Sequence, residues 1–199
     1  MDGIHDAPEA RARALGGTVR RFAPMRGRAV GSVRVYTASD AAHAPPRRWL
    51  LRNLLAEGDL ALCFGAPKGG KSFFITRLLY GAALGLNFGE ISCPRPLRAL
   101  YVAAEGESGF ASRIVALRER FSDAHDAFQY VAQRVTVGSP SDHLADLIEA
   151  ARQMRADVIA LDTVARTFGA GDENATKDMG AYVAALDRLR AEAATAGGA

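Results

Sequence analysis

One octet constrains this chain more than any other stretch: Gly65-Ala66-Pro67-Lys68-Gly69-Gly70-Lys71-Ser72. It matches, at every fixed position, the spacing of a glycine, four free residues and then Gly-Lys-Ser/Thr. Before it stands the apolar run Leu60-Ala61-Leu62-Cys63-Phe64. Behind it Phe74, Leu78, Ala82 and Leu86 recur at helical spacing. The pattern predicts a buried strand, a tight loop and a helix. Such a loop turns consecutive backbone N–H groups toward one point at the positive end of a helix. Glycines at 65, 69 and 70 remove the side chains that would keep a phosphate away. Lys71 is placed to reach the β- and γ-phosphates of a nucleotide, and the Ser72 hydroxyl to ligate Mg²⁺. The expected nucleotide contacts are therefore Gly65, Ala66, Pro67, Lys68, Gly69, Gly70, Lys71, Ser72 and the adjoining Phe73. Chance would spell this motif in roughly a few chains per thousand of similar composition, and the strand–helix context lowers that further.

The octet also stands out against the chain's habits. Only Lys68, Lys71 and Lys177 are lysines among 25 basic residues, and two of the three lie in this loop. The remaining composition narrows the class. A chain of 199 residues has room for one core or one core with a short appendage, and 49% hydrophobic with 24% charged residues is globular rather than disordered. Every apolar run is interrupted before it could cross a bilayer, so no membrane role is expected. A net charge of +3 is weak evidence for nucleic acid. Cys63 and Cys93 form no CxxC or Cys/His cluster, which argues against zinc and disulfides and fits a reducing cytoplasm.

Residues 1–45 carry Arg11, Arg13, Arg20, Arg21, Arg26 and Arg28 with no hydrophobic period. They read as a disordered or linker segment; a basic arm on DNA phosphates is the other reading. His43-Ala44-Pro45-Pro46 marks a boundary, and residues 46–199 form the domain. There strands and helices alternate. Leu97 to Ala104 predicts a strand, followed by a helix carrying Phe110, Ile114, Leu117 and Phe121. A short strand is expected at Arg134–Val137. Ser139-Pro140 starts a helix whose buried stripe is Leu144, Leu147, Ile148, Ala151 and Met154. Asp157–Leu161 predicts the next strand, and Met179, Tyr182, Val183, Leu186 and Leu189 share one face of a last helix. Alternation of this kind implies an α/β fold with a mostly parallel sheet flanked by helices.

Two acidic residues sit where the edge of such a sheet faces a nucleotide. Asp162 ends one expected strand and suits the Mg²⁺ hydration shell. Glu105 follows another and suits a base that polarises the attacking water. A polar residue that merely stops a strand has the same signature, and Glu107 is a rival for the catalytic role.

The segments GAPKGGKS at 65–72, LYVAAEGESG at 100–109 and VIALDTVARTFGAGDENATKDMG at 158–180 resemble the RepA-like branch of the RecA-type ATPases. Hexameric plasmid replicative helicases and phage relatives belong to that branch. With the Arg48-Trp49-Leu50 lead-in, the resemblance covers residues 46–199. It implies a RecA-like P-loop fold, with ATP and Mg²⁺ as ligands. Lys71 and Ser72 become the Walker A pair, Glu105 the water-activating glutamate and Asp162 the Walker B aspartate. Arg113 resembles an arginine near the adenine, although a solvated helix-face arginine has the same sequence signature. Asp172, Glu173 and Asn174 resemble the family's loop after Walker B, as would a solvated acidic turn. The implied activity is ATP hydrolysis coupled to movement on single-stranded DNA by a homo-hexamer. A filament-forming recombination or repair ATPase and a nucleotide-binding interaction module with little turnover are the alternatives. Family members continue into a further core strand with a sensor histidine and, beyond it, an arginine finger. None of His5, His43, His125 and His143 takes the sensor's place. The resemblance therefore implies a chain that lacks C-terminal core strands and turns over slowly.

Overall fold

The computed structural model describes residues 27–104, 107–138, 142–169, 171–172 and 175–194. Glu105, the Ser139-Pro140 helix start, Glu173, Asn174 and the first 26 residues lie outside them. The chain divides into two compact units, Met1–Arg47 and Arg48–Ala199. In the first, β1 (Arg28–Val30) pairs antiparallel with β2 (Val33–Val35) across a two-residue turn. Thr37 then caps α1 (Ala38–Ala41): the Asp40 N–H donates to Thr37 Oγ1 at 3.2 Å, and the Thr37 N–H to Asp40 Oδ2 at 2.8 Å. Part of the stretch expected as linker is thus hairpin and helix. Its ladder residues are all exposed, so no period of burial marks them in the sequence.

The second unit opens with β3 (Trp49–Leu51) paired antiparallel to β4 (Leu55–Ala56), burying Leu50, Leu51 and Ala56. After the glycine loop, α2 (Lys71–Ala83) ends where Gly85, at φ 72°, takes the left-handed conformation that a side chain would resist. The N–H groups of Gly85 and Leu86 return to Ala82 O and Gly81 O, which satisfies two terminal carbonyls. Then follow β5 (Ala99–Ala103), α3 (Glu107–Arg120), a 3₁₀ turn at His125–Ala127 and β6 (Phe128–Val131). The last elements are α4 (Asp142–Met154), β7 (Val158–Asp162), α5 (Val164–Thr167) and α6 (Thr176–Ala194).

Strands β6, β5 and β7 make a wholly parallel sheet in that order, with Tyr101 opposite Tyr130 on one side and Ala160 on the other. Every residue of the central β5 is buried, and its two faces divide the core. Ala99, Tyr101 and Ala103 pack with Leu79, Tyr80 and Ala83 of α2 and Phe110 of α3. Val102 packs with Leu144, Leu147 and Ile148 of α4 and Tyr182 and Leu189 of α6, while Leu100 meets Ala151 and Met154. Period-two alternation thus places one pair of helices on each side, the expected layering. Arg95 fastens the start of β7 through a bidentate pair with Asp157 at 2.7 and 3.0 Å.

Two strand expectations need correction. Leu60–Phe64 forms no strand, and Leu62 and Phe64 are 70% and 85% exposed. An apolar run favours burial, but a strand also needs a ladder partner, and among the described residues none pairs with this one. Arg134–Val137 is also no strand. Val135 and Val137 are buried as irregular chain, with the Val137 N–H donating to Thr167 O, and the third strand is Phe128–Val131 instead. Both segments mix apolar and polar residues equally well, and only the register against β5 separates them. Among the helix stripes, Phe74 and Val183 turn outward to 38% exposure, and Leu86 lies beyond the end of α2.

Candidate nucleotide site

The glycine loop leads straight into α2. Gly70 is its N-cap residue at φ 81°, a left-handed turn that frees the first helical N–H groups from the preceding chain. No side chain caps them, so this end of the helix keeps donors and a positive dipole for an anion. Within the loop the Gly69 N–H donates to Ala66 O at 3.1 Å. Lys68 holds φ 60°, an uncommon conformation for a residue with a side chain. The Lys71 ammonium donates to Gly65 O at 2.9 Å and Ala66 O at 3.0 Å, so it lies folded along the loop it follows. Gly65, Ala66, Pro67, Lys68, Gly69 and Gly70 are all exposed, and Lys71 and Ser72 are half-buried.

Phe73, 62% exposed on the first turn of α2, carries the guanidinium of Arg113 from α3 at 4.3 Å above its ring. That cation–π contact contributes about 0.5–1 kcal/mol at an exposed site. It places the Arg113 guanidinium over the first turn of α2, next to the glycine loop.

Asp162 ends β7 opposite Ala103 of β5. Its Oδ2 accepts the Tyr101 hydroxyl at 2.7 Å, and its carbonyl accepts the Ala104 N–H at 2.8 Å. The chain therefore leaves β5 alongside Asp162 one residue before Glu105, which itself lies outside the described residues. Tyr101 connects further. The buried Thr76 side chain lies beside the same phenol, and its Oγ1 donates to the backbone carbonyl of Ser72 at 2.6 Å. Burial pushes the Tyr101 phenol far above the usual tyrosine range; Thr76 opposes this and Asp162 adds to it. The hydroxyl stays protonated and can only donate toward the carboxylate.

Two buried residues, Thr76 and Tyr101, thus stand between the Ser72 backbone and Asp162; Tyr101 lies within the 100–109 segment, but the sequence motifs assign neither of them a role. The signals were present: a threonine one helical turn after Ser72, and a tyrosine within an otherwise aliphatic buried strand. A hydroxyl and a carboxylate are hard oxygen donors, and Mg²⁺ characteristically takes one or two protein oxygens with phosphates and water. The donor set fits that ion. Asp172 stands apart, exposed, with its N–H bonded to Asp178 Oδ2 at 3.0 Å.

Among the described residues, no helix is long and apolar enough to cross a membrane. Searches of curated proteins and of solved structures found no match. A family model described as an AAA domain matches residues 26–197.

Proposed function

This chain belongs to the AAA-domain family of P-loop ATPases, and from that premise we propose that it binds and hydrolyses ATP at Gly65–Ser72 as a motor acting on single-stranded DNA. One observation carries the nucleotide reading: the helix that starts uncapped with Lys71 and Ser72 packs, at Thr76, beside the phenol that donates to the carboxylate of Asp162. Lys71 exchanges the Gly65 and Ala66 carbonyls for phosphate oxygens, a trade of neutral acceptors for charged ones that favours the bound state. Ser72 and Asp162 would hold Mg²⁺, which when bound would supply positive charge to the phosphate oxygens. Glu105, one residue past Ala104, orients and deprotonates the attacking water. Arg113 and Phe73 offer a face for the base.

The motor reading rests on the resemblance of residues 46–199 to RepA-like helicases, and includes self-assembly into a ring. A second reading, a nucleotide-binding module with little turnover, is favoured by the exposed apolar row Leu60, Leu62 and Phe64 directly before the loop, which a partner protein would cover.

Titration with a fluorescent ATP analogue and Mg²⁺ tests the nucleotide site. Lys71→Ala is expected to weaken binding at least about tenfold, because a compact cation has left the phosphates. Equal affinities would remove Lys71 from the site. Phosphate release with and without single-stranded DNA tests the motor: stimulation supports it, and its absence leaves the module.

A further inference from the structure

We infer that Tyr101 is a positioning residue that sets the orientation of the Asp162 carboxylate for the metal ion at the nucleotide site. The inference rests on the ATP–Mg²⁺ reading of that site. It begins from an oddity of the sheet: β5 is the central strand, buried throughout, and Tyr101 places its hydroxyl in that interior. A buried phenol needs an acceptor, and this one has taken an oxygen of a strand-end carboxylate at 2.7 Å.

The phenol has little freedom to choose otherwise. Its ring stacks on Phe110 of α3 with centroids 4.7 Å apart and planes 26° from parallel, and Phe128 of β6 lies 6.3 Å away. A carboxylate at a strand end, by contrast, rotates broadly about its last torsion. Donation to Oδ2 removes that rotation and leaves Oδ1 with its lone pairs for another ligand. The Thr76 side chain lies beside the same phenol and donates to the backbone carbonyl of Ser72, so the phenol is packed against the helix that the glycine loop starts. Outer groups that orient metal-binding residues typically change metal affinity by about 10–100-fold when removed.

The competing account is that the bond merely satisfies a buried hydroxyl, in which case its loss lowers stability alone. Tyr101→Phe, Asp162→Asn and the double variant of the full chain separate the two. A fluorescent, non-hydrolysed ATP analogue is titrated with Mg²⁺ and, separately, with Mg²⁺ chelated. We expect Tyr101→Phe to raise the Mg²⁺ concentration for half-maximal effect by about tenfold, with metal-free binding unchanged. In the Asp162→Asn background the same change should add nothing, since the residue acts through that carboxylate. An unshifted Mg²⁺ dependence overturns the inference while nucleotide binding stands. So does a shift that persists in full in the Asp162→Asn background. Failure of the parent to bind nucleotide is the separate failure of the site reading and removes the inference with it. Should Tyr101→Phe melt below the assay temperature, Phe110→Leu loosens the ring and keeps the hydroxyl. A raised Mg²⁺ requirement is expected there too, and an unchanged one counts against the positioning role.

Discussion

The two sides of the candidate site are built differently. On one side Asp162 sits at the end of β7 in a parallel sheet, beside a phenol clamped between aromatic rings. On the other, the glycine loop and the Leu60–Phe64 approach to it are exposed, and the loop's lysine is held by its own carbonyls. Buried neighbours give the sheet side one arrangement, because moving any side chain there costs contacts on all sides. The loop side has few such contacts, so its arrangement depends on what binds it. In the proposed nucleotide reading the two are complementary: the carboxylate fixed in advance would set geometry, and the cationic loop would supply charge to a phosphate.

The largest expected effect concerns chemistry at the sheet edge. Glu105→Gln should lower turnover by about 10²–10⁴ while nucleotide affinity stays near the parent value, since an amide keeps the shape but cannot accept the proton. Single-turnover phosphate release beside an equilibrium titration measures both. Loss of turnover in Glu107→Gln instead would move the base to the start of α3.

Next come the stabilities of the two sides. Tyr101→Ala removes a fully buried ring from the sheet and should cost about 3–5 kcal/mol in urea unfolding, as large aromatic truncations do. A cost below about 1 kcal/mol would mean that the clamp is loose and the contrast drawn above is wrong.

A smaller effect appears in acid. Burial pushes the Asp157 carboxyl up, but the bidentate Arg95 and the Arg98 N–H outweigh it and hold the group below the usual range. The folded pKa is the lower one, so the stabilisation is present above the ordinary aspartate value of about 3.9 and is lost as pH falls through the folded value. Melting temperatures from about pH 6 to 3 should therefore drop for the parent, and less steeply below about pH 4 for Asp157→Asn. Parallel curves would remove Arg95–Asp157 as an anchor of β7.

The smallest effect is on the loop side. Phe64→Ser should change stability by no more than about 0.5 kcal/mol, because the ring is already 85% exposed. A larger loss in the isolated chain would show that this approach is packed, which breaks the comparison. A loss that grows with protein concentration would show instead that another copy covers it.

The glycine loop, the helix behind it and the placement of Asp162 at a strand end were legible in the sequence because each depends on residues within a few positions of one another. The stripe Leu144, Leu147, Ile148, Ala151 and Met154 lies buried as its spacing predicts, for the same reason. The third strand was not legible: Phe128–Val131 and Arg134–Val137 look alike until one of them is laid against β5. Leu60–Phe64 failed in the same way, since apolarity speaks of burial and not of a hydrogen-bonding partner. Nor could spacing show that Arg113 lies over Phe73, residues 40 positions apart whose helices meet only in the fold.

The order of residues therefore encodes the local features: a glycine-rich loop at 65–72, alternating strands and helices, and an acidic residue at the end of the strand before Thr163. Period and steric freedom carry these, and both act over short stretches of chain. Which strands share a ladder and which approach stays open emerge only in the folded chain, as does the tie from Tyr101 to Asp162. Such contacts join residues up to 61 positions apart. Their free energy comes from packing that exists only once the sheet has formed, so no local pattern carries it.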